Sequence, residues 1–442
     1  MLLNFSAGNY KSFIEPFSFS LRTAPKQKGL DYSVLTEKIG SKAIKGLCSS
    51  VIYGPNASGK TNIIGALDTF KEIVLRGHIR NASAPVSERS NVAAAALELI
   101  PNHSLAQAKP VTFSIEFTTR GFLFQYDLEI NLGLFMAPTV ERKIVAEKLS
   151  INGEPIFSRH ESVEIMKPSR KIFELFVPYA GDEEYRTGQN LANTSLNSEE
   201  LFLTNGFKTI FSQRIVQMMM DWLTNHLAVV YHADHLKISI SEDKYYEPIR
   251  EEINPAAVRF GIGANSLEFA RKTNDEAAKP VLCSKINGRL IPAEVFESYG
   301  TIRFVNMLPL LFAALRTGAT LFIDEFDASI HPMALMSIIN VFHNDEINVH
   351  GAQLVFNTHN PIFLNSDLFR RDEIKFVERR EDERTSRLYA LSDFGTTGER
   401  GVRKGEDYIT NYFINKYGAI KDIDFADLFQ AAVEGATGKE GA

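Results

Sequence analysis

"VIYGPNASGKTNIIGAL", residues 51–67, decides how the rest of the chain is read. Between Gly54 and Gly59 the side chains are small, so successive backbone N–H groups can converge on phosphate oxygens at the start of the helix that follows. Lys60 adds a flexible cation that can reach the β and γ phosphates, and the Thr61 hydroxyl is placed to coordinate Mg2+. Gly54, Pro55, Asn56, Ala57, Ser58, Gly59, Lys60 and Thr61 therefore form a candidate nucleotide-binding loop that fits GxxxxGK[ST] at every fixed position. A turn that merely joined strand to helix would need neither Lys60 nor Thr61. A helix is expected over about 61–78.

Two later stretches complete the chemistry. In "ATLFIDEFDASIHP", residues 319–332, Leu321, Phe322 and Ile323 suit a strand buried on both faces, and the run ends in two acids. Asp324 is expected in the Mg2+ shell, and Glu325 beside the γ-phosphate as the general base that polarises water. In "GAQLVFNTHNPIFL", residues 351–364, a second buried strand ends in Thr358, His359 and Asn360. A histidine at a strand end is usually structural. One strand after the acid pair, His359 stands where a sensor of the γ-phosphate would sit, and it is taken as a catalytic candidate.

The order of phosphate loop, long interval, paired acids, then strand and histidine resembles the ATP-binding-cassette (ABC) ATPases, in particular the soluble branch of the chromosome-maintenance (SMC), RecF-like and OLD-like ATPases. The resemblance implies an α/β fold: an ABC-type P-loop ATPase head with an antiparallel β lobe, a small helical insertion and no long coiled coil. It also implies a signature serine–glycine pair that touches a nucleotide held by a second subunit, so that the working species is a head-to-tail dimer or larger ring. "ESYGTIRFVNMLPLLFAAL", residues 297–315, offers Ser298 and Gly300, although Glu297 and Tyr299 depart from the family's usual form. The serine would serve equally as an ordinary helix N-cap. Asn9 to Phe13, "NYKSF", is similar to an N-terminal segment that lies by the nucleotide in this branch, which makes Lys11 and Ser12 further candidates beside the reading of polar edge-strand residues.

The rest of the chain narrows the setting. A formal net charge of −6 argues against indiscriminate coating of nucleic acid. Only Cys48 and Cys283 occur, so a disulfide framework is not expected and a reducing cytoplasm is the natural compartment. No apolar run approaches the roughly 20 residues needed to span a bilayer, so no membrane partner is expected.

Four segments are expected: 1–160, the N-terminal part of the head with the phosphate loop and β lobe; 161–226, a helical insertion; 227–380, the C-terminal part with signature, acid pair and histidine; and 381–442, a strand and helix extension. Phe13, Phe17 and Phe19 suggest strands at the start, and 79–95 reads as a polar loop. "VTFSIEF" and "GFLFQYDLEINL" read as a hairpin around Thr119, Arg120 and Gly121, with "ERKIVAEKLSING" continuing it. Met218, Met219, Met220 and Trp222 read as a core-facing helix stripe, and missing heptads exclude long coiled-coil arms. "DEIKFVERREDERTSRLYALSDF" reads as two strands with a solvated, charged tip. His232 and His235 lack partners for a metal site, and Asp422 and Asp424 lie in a tail too short for a topoisomerase-primase nuclease.

The layout most resembles RloA-like ATPases and the ATPase subunit of phage-defence (abortive-infection, PARIS-type) systems. That resemblance implies an ATPase with ATP and Mg2+ as cofactors, acting as a homo-oligomeric sensor or scaffold that controls a separate effector, a nuclease or toxin. It leaves the trigger open between DNA and a phage protein. A RecF-like repair ATPase that clamps DNA on ATP-driven dimerisation is the alternative, and a transporter's nucleotide-binding subunit fits the "NYKSF" start poorly.

Overall fold

The computed structural model describes residues 1–25, 27, 29–80, 97–136, 141–177, 182–231, 255–256, 258–259, 266–270, 281–380, 382–397, 401–403, 405–421, 424–426 and 429–430. The chain opens with β1 (Leu2–Gly8) and β2 (Phe17–Ser20), then β3 (Val34–Ile39), β4 (Lys42–Leu47), β5 (Ser49–Tyr53) and α1 (Lys60–Arg76). Next come β6 (Val111–Thr119), β7 (Phe122–Asn131), β8 (Lys143–Ile151), β9 (Glu154–Arg159) and β10 (Val163–Ile165), followed by α2 (Asp182–Thr194) and α3 (Gln213–Asn225). The second half holds β11 (Leu227–Val230), β12 (Ser266–Ala270), β13 (Val281–Ile286), β14 (Arg289–Pro292), α4 (Tyr299–Thr317), β15 (Thr320–Ile323), α5 (Pro332–Phe342), β16 (Gln353–Asn357), β17 (Ile374–Arg380) and β18 (Thr385–Ala390).

One sheet has the order β11-β15-β16-β5-β17-β18. Its first five strands are parallel and β18 is antiparallel to β17. Every residue of β5, β15 and β16 is buried, which is why "SSVIY" and "TLFI" show no alternation. Because the five strands point the same way, the loops after β5, β15 and β16 leave the sheet along one edge, where such sheets carry their ligands.

A second, wholly antiparallel sheet has the order β10-β9-β8-β7-β6-β1-β2. The hairpin read at residue 120 is present: Thr119 pairs with Phe122 across Arg120 and Gly121, both at positive φ. Residues of α1, of this sheet and of one face of the parallel sheet share a core. The other face packs under α4 and α5. Thus the parallel sheet is covered on both sides, and the antiparallel lobe lies outside α1.

The helices after residue 170 do not stand apart from the lobe. Trp222 stacks on Phe117 with ring centroids 3.9 Å apart, and Met218 and Met219 are buried in the same core. The boundary drawn at 380 falls within the β17–β18 hairpin, in which Arg380 pairs with Thr385, so the extension begins inside the main sheet. Phe13 is in no strand, contrary to the alternation through 13, 17 and 19. Tyr10 and Phe13 exchange N–H···O=C bonds of 2.9 Å in a tight turn, and the strand starts at Phe17. The longest helix among the described residues is α4, 19 residues, and no long coiled coil occurs among them. No described helix is long and apolar enough to cross a membrane. His232, His235, Asp422 and most of the 79–95 stretch lie outside the described residues; the exposed Asp424 accepts a hydrogen bond from the backbone N–H of Ala426.

Candidate nucleotide site

β5 delivers the phosphate loop to the edge of the sheet, and packing explains its glycines. A Cβ on Gly54 would lie 2.3 Å from the carbonyl oxygen of Val377, so the loop can press against β17 only with glycine there. Gly59 has φ 109°, and a Cβ on it would meet Ser12 Oγ at 2.5 Å and Ser386 Oγ at 2.8 Å. Ala57 is also left-handed, at φ 62°. These turns lead the loop directly into α1, whose first residue is Lys60.

Lys60 is buried, and its ammonium donates to the carbonyls of Gly54 at 2.7 Å and Pro55 at 3.1 Å. Burial pulls its pKa down to about 8, although Asp324, Glu325 and Asp327 oppose the shift. Ser58 Oγ is buried without a hydrogen-bond partner. A cradle with an orphaned hydroxyl and a cation resting on its own carbonyls suits a polyanion.

The acid pair meets this loop from β15. Thr61 Oγ1 donates to Asp324 Oδ1 at 3.1 Å, which brings two hard oxygen ligands together as a Mg2+ site requires. Asn357 Nδ2 donates to the same Asp324 oxygen, and Asn357 Oδ1 accepts from the Glu325 N–H at 2.5 Å. One side chain at the end of β16 therefore holds both acids. Glu325 has φ 49°, a left-handed turn that costs an ordinary residue about 1 kcal/mol or more. From α4, the Arg303 guanidinium donates to the carbonyls of Asp324 at 3.2 Å and Glu325 at 2.6 Å, so this turn is fixed from a second side.

His359, Glu325, Asn357 and Arg379 line a cleft of 330 Å³ together with Ser12 and the loop from Asn56 to Asn62. Desolvation and the nearby Lys60 charge lower the His359 pKa, so at neutral pH its imidazole is uncharged and can donate one N–H. Ser12 accepts from Asn62 Nδ2 at 2.8 Å, and its carbonyl accepts from Ser386 N, which ties the N-terminal turn to α1 and β18. Lys11 turns the other way. Its ammonium contacts Glu98 at 2.5 Å and the Tyr231 hydroxyl at 2.8 Å, and it does not line the cleft.

Ser298 and Gly300 do not line the cleft either. Ser298 is the N-cap of α4, its Oγ accepting from Thr301 N at 3.2 Å. A Cβ on Gly300 would come 1.9 Å from the carbonyl oxygen of Ser329, so glycine lets α4 rest directly on the segment that follows the acid pair. Five residues the motifs did not point to now join the site: Asn62, Arg303, Asn357, Arg379 and Ser386, whose Oγ donates to the Ser58 carbonyl at 2.5 Å. Asn357 alone carried a local signal, a polar residue closing the apolar run "LVF".

A parallel sheet covered on both faces, a phosphate loop and an acid pair sharing its C-terminal edge define an ABC-type P-loop ATPase head. A family model described as "AAA domain, putative AbiEii toxin, Type IV TA system" matches residues 49–365, and the chain belongs to that family. Solved structures similar to it include an SMC head bound to the C-winged helix domain of ScpA, at 12% identity and TM-score 0.40, covering 88% of this chain and 97% of that one. The SMC head domain from Thermotoga maritima aligns at 14% identity and TM-score 0.38, with 88% and 98% covered. An SMC head domain with an extended coiled coil, bound to the C-terminal domain of ScpA and derived from Pyrococcus furiosus, aligns at 12% and 0.38, with 88% and 96% covered. No curated protein matches the chain.

Proposed function

We propose that this chain is an ATP-hydrolysing sensor or scaffold of the abortive-infection kind, similar to RloA-like and PARIS-type ATPases. It assembles with copies of itself in the cytoplasm and controls a separate effector, a nuclease or toxin, in answer to DNA or a phage protein. The carrying observation is an asymmetry. The loop, the Thr61–Asp324 pair, Glu325 and His359 gather at one cleft, whereas the exposed Ser298 and the buried Gly300 lie at the start of α4 outside it. A second copy is then the source of a signature for each nucleotide. The family's description, which names a toxin of a toxin–antitoxin system, supports the defence class.

In this reading Lys60 and the loop N–H groups hold the β and γ phosphates. Mg2+ held by Thr61 Oγ1 and Asp324 would neutralise charge on the phosphate oxygens. Glu325 takes the proton from the attacking water, and the neutral His359 donates to the γ-phosphate. Binding ATP more tightly in the closed assembly than in the open one supplies the energy of the switch.

The test is mass photometry of Glu325→Gln with ATP, alone and with duplex DNA. ATP-dependent dimers or larger species without DNA are expected. A monomer under all conditions would overturn the assembly reading, and assembly only on DNA would replace it with the RecF-like clamp. Normal turnover by this variant would remove Glu325 from the role of base.

A further inference from the structure

At the opposite ends of the same strands lies a second cluster with metal-binding chemistry. Cys48 precedes β5, Glu373 precedes β17, and His343 caps the C-terminus of α5. All three are buried, and their ligand atoms, the Cys48 Sγ, a His343 ring nitrogen and a Glu373 carboxylate oxygen, lie within 4.8 Å of one another. His343 Nε2 stands 3.4 Å from Glu373 Oε1, and Ser49 Oγ lies 2.8 Å from each. Four donors from three elements face one point.

We propose that Cys48, His343 and Glu373, with the Ser49 hydroxyl as the fourth donor, form a structural zinc site that staples the N-terminal ends of β5 and β17 to α5. Zinc bonds of about 2.0 to 2.3 Å in a tetrahedron place ligand atoms roughly 3.3 to 3.8 Å apart, a spacing the His343–Glu373 pair already has. A thiolate, an imidazole and a single carboxylate select zinc over the oxygen-loving Mg2+.

The surroundings hold the ligands in place. Glu373 Oε2 accepts from Arg370 N at 2.7 Å, and Ser50 Oγ donates to the Glu373 carbonyl at 2.7 Å. The His343 ring is held by the Ser49 hydroxyl at Nε2 and by packing against Tyr32 and Phe369, with centroids 5.8 and 5.9 Å away, while its Nδ1 has no hydrogen-bond partner. Tyr32 is 43% exposed, which puts the cluster one side chain below the surface and gives an ion its way in.

The experiment uses tag-free, full-length protein, assayed for metal as purified and then stripped and titrated with Co2+. About one zinc per chain is expected, and Co2+ should give the strong near-ultraviolet absorption of a cobalt–thiolate bond. The chain has two cysteines, so retention of that band in Cys283→Ala assigns it to Cys48 even if Cys48→Ala fails to fold. A folded Cys48→Ala should lose it entirely. Absence of both zinc and cobalt binding, a cobalt spectrum without the thiolate band, or loss of the band in Cys283→Ala would each overturn the proposal and leave the cluster as a hydrogen-bond network. None of these readouts depends on the nucleotide site.

Discussion

The two ends of the parallel sheet handle polar groups in opposite ways. At the C-terminal end, Lys60 rests on its own loop carbonyls, Ser58 Oγ is unpaired, and Glu325 is held in a left-handed turn. At the N-terminal end, Gln353 is fully buried and uses every polar atom. Its Oε1 accepts from Leu2 N at 2.7 Å and Thr320 Oγ1 at 2.8 Å, while Nε2 donates to the carbonyls of Leu2 at 3.0 Å and Leu47 at 2.8 Å. Around Gln353 the polar groups are closed on one another and join the two sheets, whereas around the phosphate loop donors and strain are kept in reserve for a ligand.

That contrast can be broken most sharply at Lys60. Lys60→Ala should weaken ATP binding by about 4 kcal/mol, roughly a thousandfold in Kd, since a charge-assisted contact to phosphate is removed. Its melting temperature should hold, because the change also removes a buried charge. Titration calorimetry with ATP and Mg2+ checks this, and undiminished affinity would mean that the ligand end has been misplaced.

Gln353→Ala should do the reverse. Stripping a buried amide from four partners costs about 3 kcal/mol and should appear as a lower melting temperature with ATP affinity unchanged in the folded protein. A loss of affinity without a loss of stability would show that the two ends are not separable.

The smallest effect is expected at Asn357, which touches the acids but not the loop. Asn357→Ala should lower turnover at saturating ATP by about tenfold to a hundredfold, with nucleotide binding nearly kept, because it orients Asp324 and Glu325 rather than contacting phosphate. Unaltered turnover would show that Arg303 alone suffices to fix the turn.

What the sequence disclosed follows the same line. The phosphate loop, the acid pair and the hairpin at Arg120–Gly121 each depend on neighbours within a few residues, so spacing was enough to read them. Arg303, Arg379 and Ser386 reach the site through strand order and helix packing, which no local pattern encodes. The "NYKSF" segment shows the limit within a single motif. Positive φ at Asn9 and Lys11 tightens the turn so that Ser12 faces the cleft while Lys11 turns to Glu98. The Asn287–Gly288 turn joining β13 to β14, both residues at positive φ, carried a strong hairpin signal that reading for nucleotide motifs passes over. Ser298 is an N-cap by geometry, which leaves its hydroxyl engaged locally while α4 still begins at the surface.

The first turns of α4 grip the segment after β15 at both ends: Gly300 bears on the Ser329 carbonyl and Arg303 holds those of Asp324 and Glu325. Between those grips the backbone is left-handed at Glu325 and again at Ser329. The arrangement works as a clutch plate, with the helix as one disc and residues 324–329 as the other. Held by α4 at both ends and turned left-handed at two residues, the 324–329 segment has little freedom to move apart from that helix.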